Sequence, residues 1–319
     1  MLSFRIPSFM SPDIIFLHNG DKCTKQTYVP VENIIKTTEK YHKYVSPYGY
    51  IHEVVKDDNI DNSYAIWEII YHFDIITSTT TLSYLGDVPS KIPQFISNYY
   101  MLNLQPNIIL QDERSTFTHC CLEYDKNNTS FDDWYSDNDG LDSVIIIKIS
   151  DITCGNTYNN ILTNIIIAII RQSIGGSLII EIPEIASVFS IDLIYILGYF
   201  YEDVFAVNPE IAECYRREKF IFCYGLRQIE KKKNIYIMKS LLSHSYGPNS
   251  FIIANNIPHA IIKIVTQAVT TCENIKLVTV YDKIRLSDKK THIQLDINKK
   301  RIISNCIKWC MKNGIEINE

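Results

Sequence analysis

The amino-acid sequence predicts an α/β fold in which a mostly parallel β-sheet ends in an antiparallel last strand. Two runs rich in β-branched residues, 144–149 and 177–182, are typical of strands that are buried on both faces. Segments of helical character alternate with the predicted strands, which favours a parallel sheet covered by helices on both sides. The last two predicted strands, 204–207 and 220–226, follow each other with only a short link, so we expect them to pair antiparallel.

The remaining elements are predicted in chain order around these strands. Residues 1–61 form an N-terminal extension with one helix near 31–44, residues 62–227 form the α/β domain, and residues 228–319 form a C-terminal appendage. Within the domain, further strands are expected at 79–85, 107–111 and 119–123, and helices at 63–73, 94–102, 156–173 and 189–201. The appendage carries a helix that begins near Pro258 and another at 299–312 with Gly314 as its stop. We expect this tail to pack back on the sheet or to form a small helical appendage.

The composition is that of a globular protein, with 46% hydrophobic and 21% charged residues and a net charge of −5. A nucleic-acid binder usually shows a basic face, so the global charge gives RNA binding no support, although a local basic patch stays open. The longest apolar run, 161–170, is too short to span a bilayer, and we expect a cytoplasmic protein without a membrane partner. Abundant Ile, Asn, Tyr and Lys are consistent with an AT-rich genome, such as that of a parasite, an endosymbiont or a large DNA virus.

The cysteines favour reduced thiols over disulfides or a metal site. There are nine of them, and none forms a Cys-x-x-Cys pair. Adjacent residues of a strand point to opposite faces, so His119, Cys120 and Cys121 cannot readily share one ion. Cys306 and Cys310 share a helical face without further ligands, and we interpret them as core thiols. We therefore predict no metal site.

Three segments carry motifs in a fixed order along the chain. The first is Leu-Ser-Tyr-Leu-Gly-Asp-Val-Pro-Ser-Lys at 82–91, a strand that ends in a turn at Gly86. The second is Gly-Gly-Ser at 175–177, where we expect the glycines to make the turn from a helix into the strand 177–182. The third is Asn-Pro-Glu-Ile-Ala-Glu-Cys-Tyr-Arg-Arg-Glu at 208–218, directly before the last strand.

In this order and spacing the segments resemble the FtsJ-like family of RNA 2′-O-ribose methyltransferases, and the resemblance covers residues 62–227. It implies a Rossmann-like methyltransferase sheet, mostly parallel with an antiparallel last strand, and S-adenosylmethionine as a possible cofactor. Alternation alone would fit dehydrogenases or flavodoxin-like proteins equally well. In the family the first turn reads L-G-x-x-P-G-G, and its glycines let the backbone approach the methionine end of the cofactor. Here Ser90 and Lys91 replace the glycine pair, and their Cβ atoms would crowd such an approach.

The resemblance implies that Gly86, Asp87 and Pro89 would line the cofactor site. Asp87 could contact an amine of the ligand, or it could simply be a turn-forming residue. Asp112 and Glu113 follow the second strand of the predicted domain, where Rossmann-like folds often place an acid that binds ribose.

The resemblance also implies a catalytic set of Lys, Asp, Lys and Glu around the ribose 2′-hydroxyl, and most of this set is replaced. The first lysine falls near Glu68 and the second at Glu181, while Glu218 matches the glutamate by spacing. The aspartate position at the end of the strand 144–149 holds no acid, and Asp151 lies a few residues beyond. In the family the central lysine helps to deprotonate the hydroxyl that attacks the methyl group.

Two lysines replaced by glutamates reverse the local charge. We expect Glu68, Glu181 and Glu218 to converge at one pocket at the strand ends, where they would raise one another's pKa and repel phosphate. Such a pocket would bind RNA poorly unless a metal ion, Lys91 or Lys148 supplied positive charge. For Glu181, an ordinary ion pair at a strand end is the alternative.

Two main hypotheses of function follow from the resemblance. The first is a pseudoenzyme, a non-catalytic or regulatory subunit in RNA capping or processing whose partners would be RNA or a catalytic capping or transcription subunit. The pattern is similar to divergent FtsJ-like proteins of large cytoplasmic DNA viruses, and to the inactive small subunit of the poxvirus capping enzyme. A viral protein would act in the host cytoplasm or the virion. The second hypothesis is an active, divergent mRNA cap 2′-O-methyltransferase that uses Glu218. A third, weaker one is a Rossmann-like enzyme of another class.

Overall fold

The computed structural model describes most of the α/β region and parts of both ends of the chain. The described residues are 1–6, 48–56, 63–86, 91–102, 107–109, 140–148, 157–182, 185, 187–211, 219–228, 236–238, 240–241, 252–253, 257–288 and 292–317. The predicted helix near 31–44 and the predicted strand 119–123 lie outside these residues.

Seven strands form one open sheet in the described part of the chain. They are β1 Leu2–Ile6, β2 Leu82–Gly86, β3 Asn107–Ile109, β4 Asp142–Lys148, β5 Gln172–Ile182, β6 Tyr201–Asn208 and β7 Lys219–Leu226. Their order across the sheet is β1-β6-β7-β5-β4-β2-β3. β2, β3, β4 and β5 pair in parallel, and β7 runs antiparallel between β5 and β6. The predicted mixed α/β sheet, mostly parallel with antiparallel strands, is thereby confirmed.

Helices cover both faces of the sheet. They are α1 Ile51–Val55, α2 Ser63–Phe73, α3 Ile92–Tyr100, α4 Thr157–Arg171, α5 Val188–Phe200, α6 His259–Asp288 and α7 His292–Lys312. The side chains of α1, α2, α3 and α7 share a hydrophobic core with one face, called here the α2 face. The side chains of α4, α5 and α6 share a core with the other face, called here the α5 face. The tail helices α6 and α7 thus pack back on the sheet, the first of the two expected arrangements.

β1 is a strand that the sequence analysis did not predict. It pairs antiparallel with β6, from Leu2 opposite Asn208 to Ile6 opposite Val204. A five-residue run has little periodicity of its own, and its strand conformation depends on a partner more than 190 residues away in the sequence. The pairing brings the start of the chain to the end of β6.

The two glycines before β5 do not make the predicted turn from helix to strand. α4 ends at Arg171 and β5 begins at Gln172, so Gly175 and Gly176 lie inside the strand. Gly175 has φ +81°, and the pairing of β4 with β5 shifts register at this point, which is typical of a β-bulge. A Cβ on Gly176 would come within 2.7 Å of the carbonyl oxygen of Ser143, so the glycine allows the strands to approach.

Candidate functional site

The carboxyl ends of β2 and β4 lie at the part of an open α/β sheet where ligands usually bind. The chain runs from β2 to β3 on one side of β2 and then returns to β4 on the other side. Ligands favour such a switch point because the loops that follow the two strands diverge there. The last paired residues of the two strands are Gly86 and Lys148, which lie opposite each other.

Gly86 is required by the backbone of the neighbouring strand. It has φ +101°, a conformation that residues with a Cβ rarely adopt, and a Cβ built there would overlap the carbonyl oxygen of Lys148. Gly86 therefore allows β2 and β4 to lie close together, whether or not a ligand also comes close to it. The other predicted cofactor contacts, Asp87, Pro89 and Asp112, lie outside the described residues.

Glu68 is a buried carboxylate on α2, 2% exposed, and both of its oxygens accept hydrogen bonds from the chain. The backbone N–H of Glu210 donates to Oε1 at 2.9 Å, and that of Ile211 donates to Oε2 at 3.2 Å. The indole Nε1 of Trp309 also donates to Oε2, at 2.9 Å. The amino group of Met1 lies 3.3 Å from Oε1. One carboxylate thus joins α2 to β1, to the segment after β6 and to α7.

A second indole also links α2 to the end of α7, but here the donor is on α2 and the acceptor follows α7. Nε1 of Trp67 donates to the carbonyl oxygen of Asn313 at 2.8 Å, and the Asn313 amide donates to the carbonyl oxygen of Trp309 at 2.8 Å. Both tryptophans are almost fully buried. Trp309 is the residue that the sequence reasoning missed; the available signal was its place beside Cys306 and Cys310 on the apolar face of the last helix.

Glu181 lies on β5 and faces the side of the sheet that α2, the helix of Glu68, covers. It is 6% exposed near the end of β5, and it alternates in phase with Ile179, which belongs to the core on the α2 face. Phe220 on β7 pairs with both Glu181 and Val207 on β6, so one strand separates Glu181 from the strand that leads to Glu210. β5 and β6 are therefore two strand spacings apart, which corresponds to about 10 Å.

The convergence of three acids at one pocket therefore stays a prediction. Glu68 on α2 and Glu181 on β5 both lie on the α2 face of the sheet, and Glu218 lies outside the described residues. The donors around Glu68 show that this acid is held by the protein itself, whatever further role it has.

Glu210 is an exposed acid that shares the amino group of Met1 with Glu68. Its carboxylate accepts hydrogen bonds from the amino group of Met1 at 2.5 Å, from Nζ of Lys312 at 3.0 Å and from the Tyr48 hydroxyl at 3.1 Å. Partial burial acts to raise the pKa of Glu210, but the hydrogen bonds from Met1 and Lys312 outweigh it and lower the pKa from 4.5 to about 2. Burial of Tyr48 and the nearby carboxylate of Glu210 raise the pKa of the Tyr48 hydroxyl.

Glu210→Gln is expected to flatten the acid limb of the stability profile. The pKa of Glu210 is lower in the folded than in the unfolded chain, so its contribution is complete above pH 4.5 and is lost as the pH falls towards about 2. Solvent screens a side chain that is 36% exposed, so the contribution should be about 1 kcal/mol or less. Urea unfolding of both proteins between these pH values measures it. Parallel curves for the two proteins would contradict the assignment.

Three cysteines in the described segments are buried thiols, which confirms the core interpretation of Cys306 and Cys310. Burial raises the pKa of Cys306 to about 11 and that of Cys310 to about 12, so neither is a thiolate at neutral pH. Within the same segments, no group of three or more His, Cys, Asp or Glu side chains is placed to hold a metal ion. No helix found there has the length and apolar character needed to cross a membrane.

No protein-family model matches the chain, and a search of curated proteins gives no match either.

Proposed function

We propose that this protein is a degenerate FtsJ-like methyltransferase-fold protein that acts as a non-catalytic or regulatory subunit in RNA capping or processing. It works in the cytoplasm, or in the virion if the chain is viral, and it contacts RNA or a catalytic capping or transcription subunit. S-adenosylmethionine is not turned over by this chain.

The hydrogen bonding of Glu68 carries the proposal. The resemblance places the first catalytic lysine near this position, where an ammonium group would face the ribose hydroxyl. The side chain found there is an acid, and protein donors occupy both of its oxygens. A carboxylate held in this way supplies no positive charge to a substrate, and it keeps α7 fixed over α2. These observations support a structural role at a position that is catalytic in the family.

The strand order supports the fold part of the proposal. β7 runs antiparallel between β5 and β6, as the closing strand of a Rossmann-like methyltransferase does. The switch point lies between β2 and β4, and the glycine turn of the first motif ends β2 there.

An active, divergent 2′-O-methyltransferase is the second candidate, and Lys148 favours it. This half-buried lysine ends β4 directly opposite Gly86, so one ammonium group remains near the switch point. In that case Lys148 would offset the negative charge of the acids, and Glu218 would be the retained catalytic glutamate.

Calorimetric titration with S-adenosylmethionine and a methyl-transfer assay on capped RNA separate the two candidates. For the pseudoenzyme we expect no methyl transfer, with or without added partner proteins. For the active enzyme we expect transfer that Glu218→Ala abolishes and that Glu53→Ala, which removes an exposed acid on α1, leaves unchanged. Cofactor binding together with methyl transfer by the purified chain would rule the first proposal out.

A further inference from the structure

The exposed side of α7 is basic, although the chain as a whole is acidic. Acidic residues outnumber basic ones by 36 to 31 in the sequence. Along α7, however, no Asp or Glu occurs between residues 297 and 312, a stretch of about four turns. The exposed basic side chains of this stretch, called here the basic face, are Lys300, Arg301, Lys308 and Lys312.

Helix geometry brings these four residues to one side of α7. With about 3.6 residues per turn they fall within an arc of about 120°, and a rise of about 1.5 Å per residue spreads them over about 18 Å of the axis. The opposite side of the helix is apolar, since Ile302, Cys306 and Trp309 belong to the core on the α2 face. The basic face is therefore the side of α7 that is turned away from the sheet.

Three of the four cations have no acid to balance them in the described part of the chain. Nζ of Lys312 donates to Glu210 at 3.0 Å. The side chains of Lys300, Arg301 and Lys308 make no ion pair or hydrogen bond with the described residues. Like charges four residues apart on a helix, such as Lys308 and Lys312, repel each other, so an anionic partner would stabilise this face.

Tyrosine rings lie at the C-terminal end of the basic face. A Cβ on Gly314, two residues after α7, would lie 2.5 Å from the ring of Tyr99 and 3.3 Å from the ring of Tyr71. The two rings pack edge to face with their centroids 4.8 Å apart, and Tyr99 is 44% exposed. Part of one aromatic ring thus stays open to solvent where the row of cations ends.

We propose that the basic face of α7 and the ring of Tyr99 bind single-stranded RNA. The cations bind phosphates and the ring stacks on an unpaired base, the combination that single-strand binders use. A lipid surface is disfavoured, because the apolar side of α7 is buried on the sheet and cannot enter a membrane. α7 lies outside residues 62–227, so this surface is separate from the site that the resemblance implies.

The inference deepens the proposed function and rests on it for the choice of RNA as the nucleic acid. RNA binding is measured without S-adenosylmethionine, so it does not depend on methyl transfer. If the chain binds no RNA, this inference fails, and a subunit that contacts a protein partner remains. Methyl transfer by the chain would instead overturn the proposed function and leave RNA binding by α7 intact.

Fluorescence anisotropy of the full chain with a labelled oligouridylate of about 12 nucleotides tests the inference. We expect log K to fall with log salt concentration at a slope of about −2, the value for three phosphate contacts on a single strand. The duplex with oligoadenylate should bind at least about fivefold more weakly, because its paired bases cannot stack on Tyr99. Duplex binding of equal affinity, or binding to phosphatidylserine vesicles without binding to RNA, would overturn the inference.

Lys308→Gln and Lys263→Gln form a matched pair, because each removes one exposed positive charge and Lys263 lies on α6, which packs on the α5 face. We expect Lys308→Gln to reduce the salt slope by about 0.7 and the affinity about fivefold at about 0.1 M salt. The double variant Arg301→Gln/Lys308→Gln should lose about 25-fold, and Lys263→Gln should bind like the wild type. Equal losses for Lys308→Gln and Lys263→Gln would mean that only net charge matters, which contradicts a site on α7.

Tyr99→Leu tests the ring without changing the charge. Leucine keeps an apolar side chain beside Gly314 and removes the stacking surface. We expect the affinity for oligouridylate to fall about fivefold or more while the salt slope stays the same, because stacking releases no counterions. Wild-type affinity in the folded variant would overturn the choice of a single strand. If the variant does not fold, the lysine pair and the duplex still decide the inference.

Discussion

Glu68→Ala is expected to lower the free energy of unfolding by about 3–5 kcal/mol, as is usual when one partner of a buried ionic network is removed. The substitution leaves the backbone N–H groups of Glu210 and Ile211 and the indole N–H of Trp309 buried without their acceptor. The same change loosens three connections at once, because α2, the segment after β6 and α7 all meet at this carboxylate.

Urea denaturation at neutral pH measures this loss. Glu68→Gln should fall between the wild type and Glu68→Ala, because an amide oxygen can still accept from part of the donor set. Glu53→Ala is the matched control: it removes an exposed acid on α1 that lies 3.2 Å from Lys299, and it should change the free energy by less than about 1 kcal/mol. If Glu68→Ala were as mild as the control, the hydrogen bonds to Glu68 would not be holding α7.

The same geometry disfavours a lysine at position 68. Glu68→Lys would set an ammonium group against three N–H donors and the amino group of Met1, all of which need an acceptor. We infer that a lysine at position 68 and the attachment of α7 to α2 exclude each other.

Local sequence patterns predicted those parts of the fold whose signal is local. Residues 144–149 and 177–182 are rich in isoleucine and other apolar residues, and the structure has β4 and β5 there because both strands are covered on both faces. β1 was not predicted because its conformation depends on pairing with β6. The glycines at 175 and 176 were assigned to a turn because a positive φ serves a turn and a β-bulge equally well.

The contacts of the candidate site could not be predicted from the sequence. The resemblance singled out Glu68 and Glu181, and both are buried on one face of the sheet. The partners of Glu68 could not be predicted, because Glu210 and Trp309 lie 142 and 241 residues away in the sequence.

Gly86→Ala is expected to lower the free energy of unfolding by about 3 kcal/mol, which combines backbone strain at a positive φ with overpacking. The added Cβ would overlap the carbonyl oxygen of Lys148, and relief of that overlap requires β2 and β4 to move apart. Because both strands are central in the sheet and buried, the movement would disturb the cores on both faces.

Gly140→Ala separates the two causes. Gly140 has φ +72° and open space where a Cβ would lie, so alanine there should lose only the strain of a left-handed conformation, about 1 kcal/mol. If Gly86→Ala in the unliganded protein is as mild as Gly140→Ala, then Gly86 does not serve the approach of the two strands, and the family's reason for a glycine, contact with a cofactor, regains weight. A much larger loss for Gly86→Ala, in the absence of any ligand, would mean that strand packing alone accounts for this glycine. The glycine would then be required by the fold whether or not the chain binds S-adenosylmethionine.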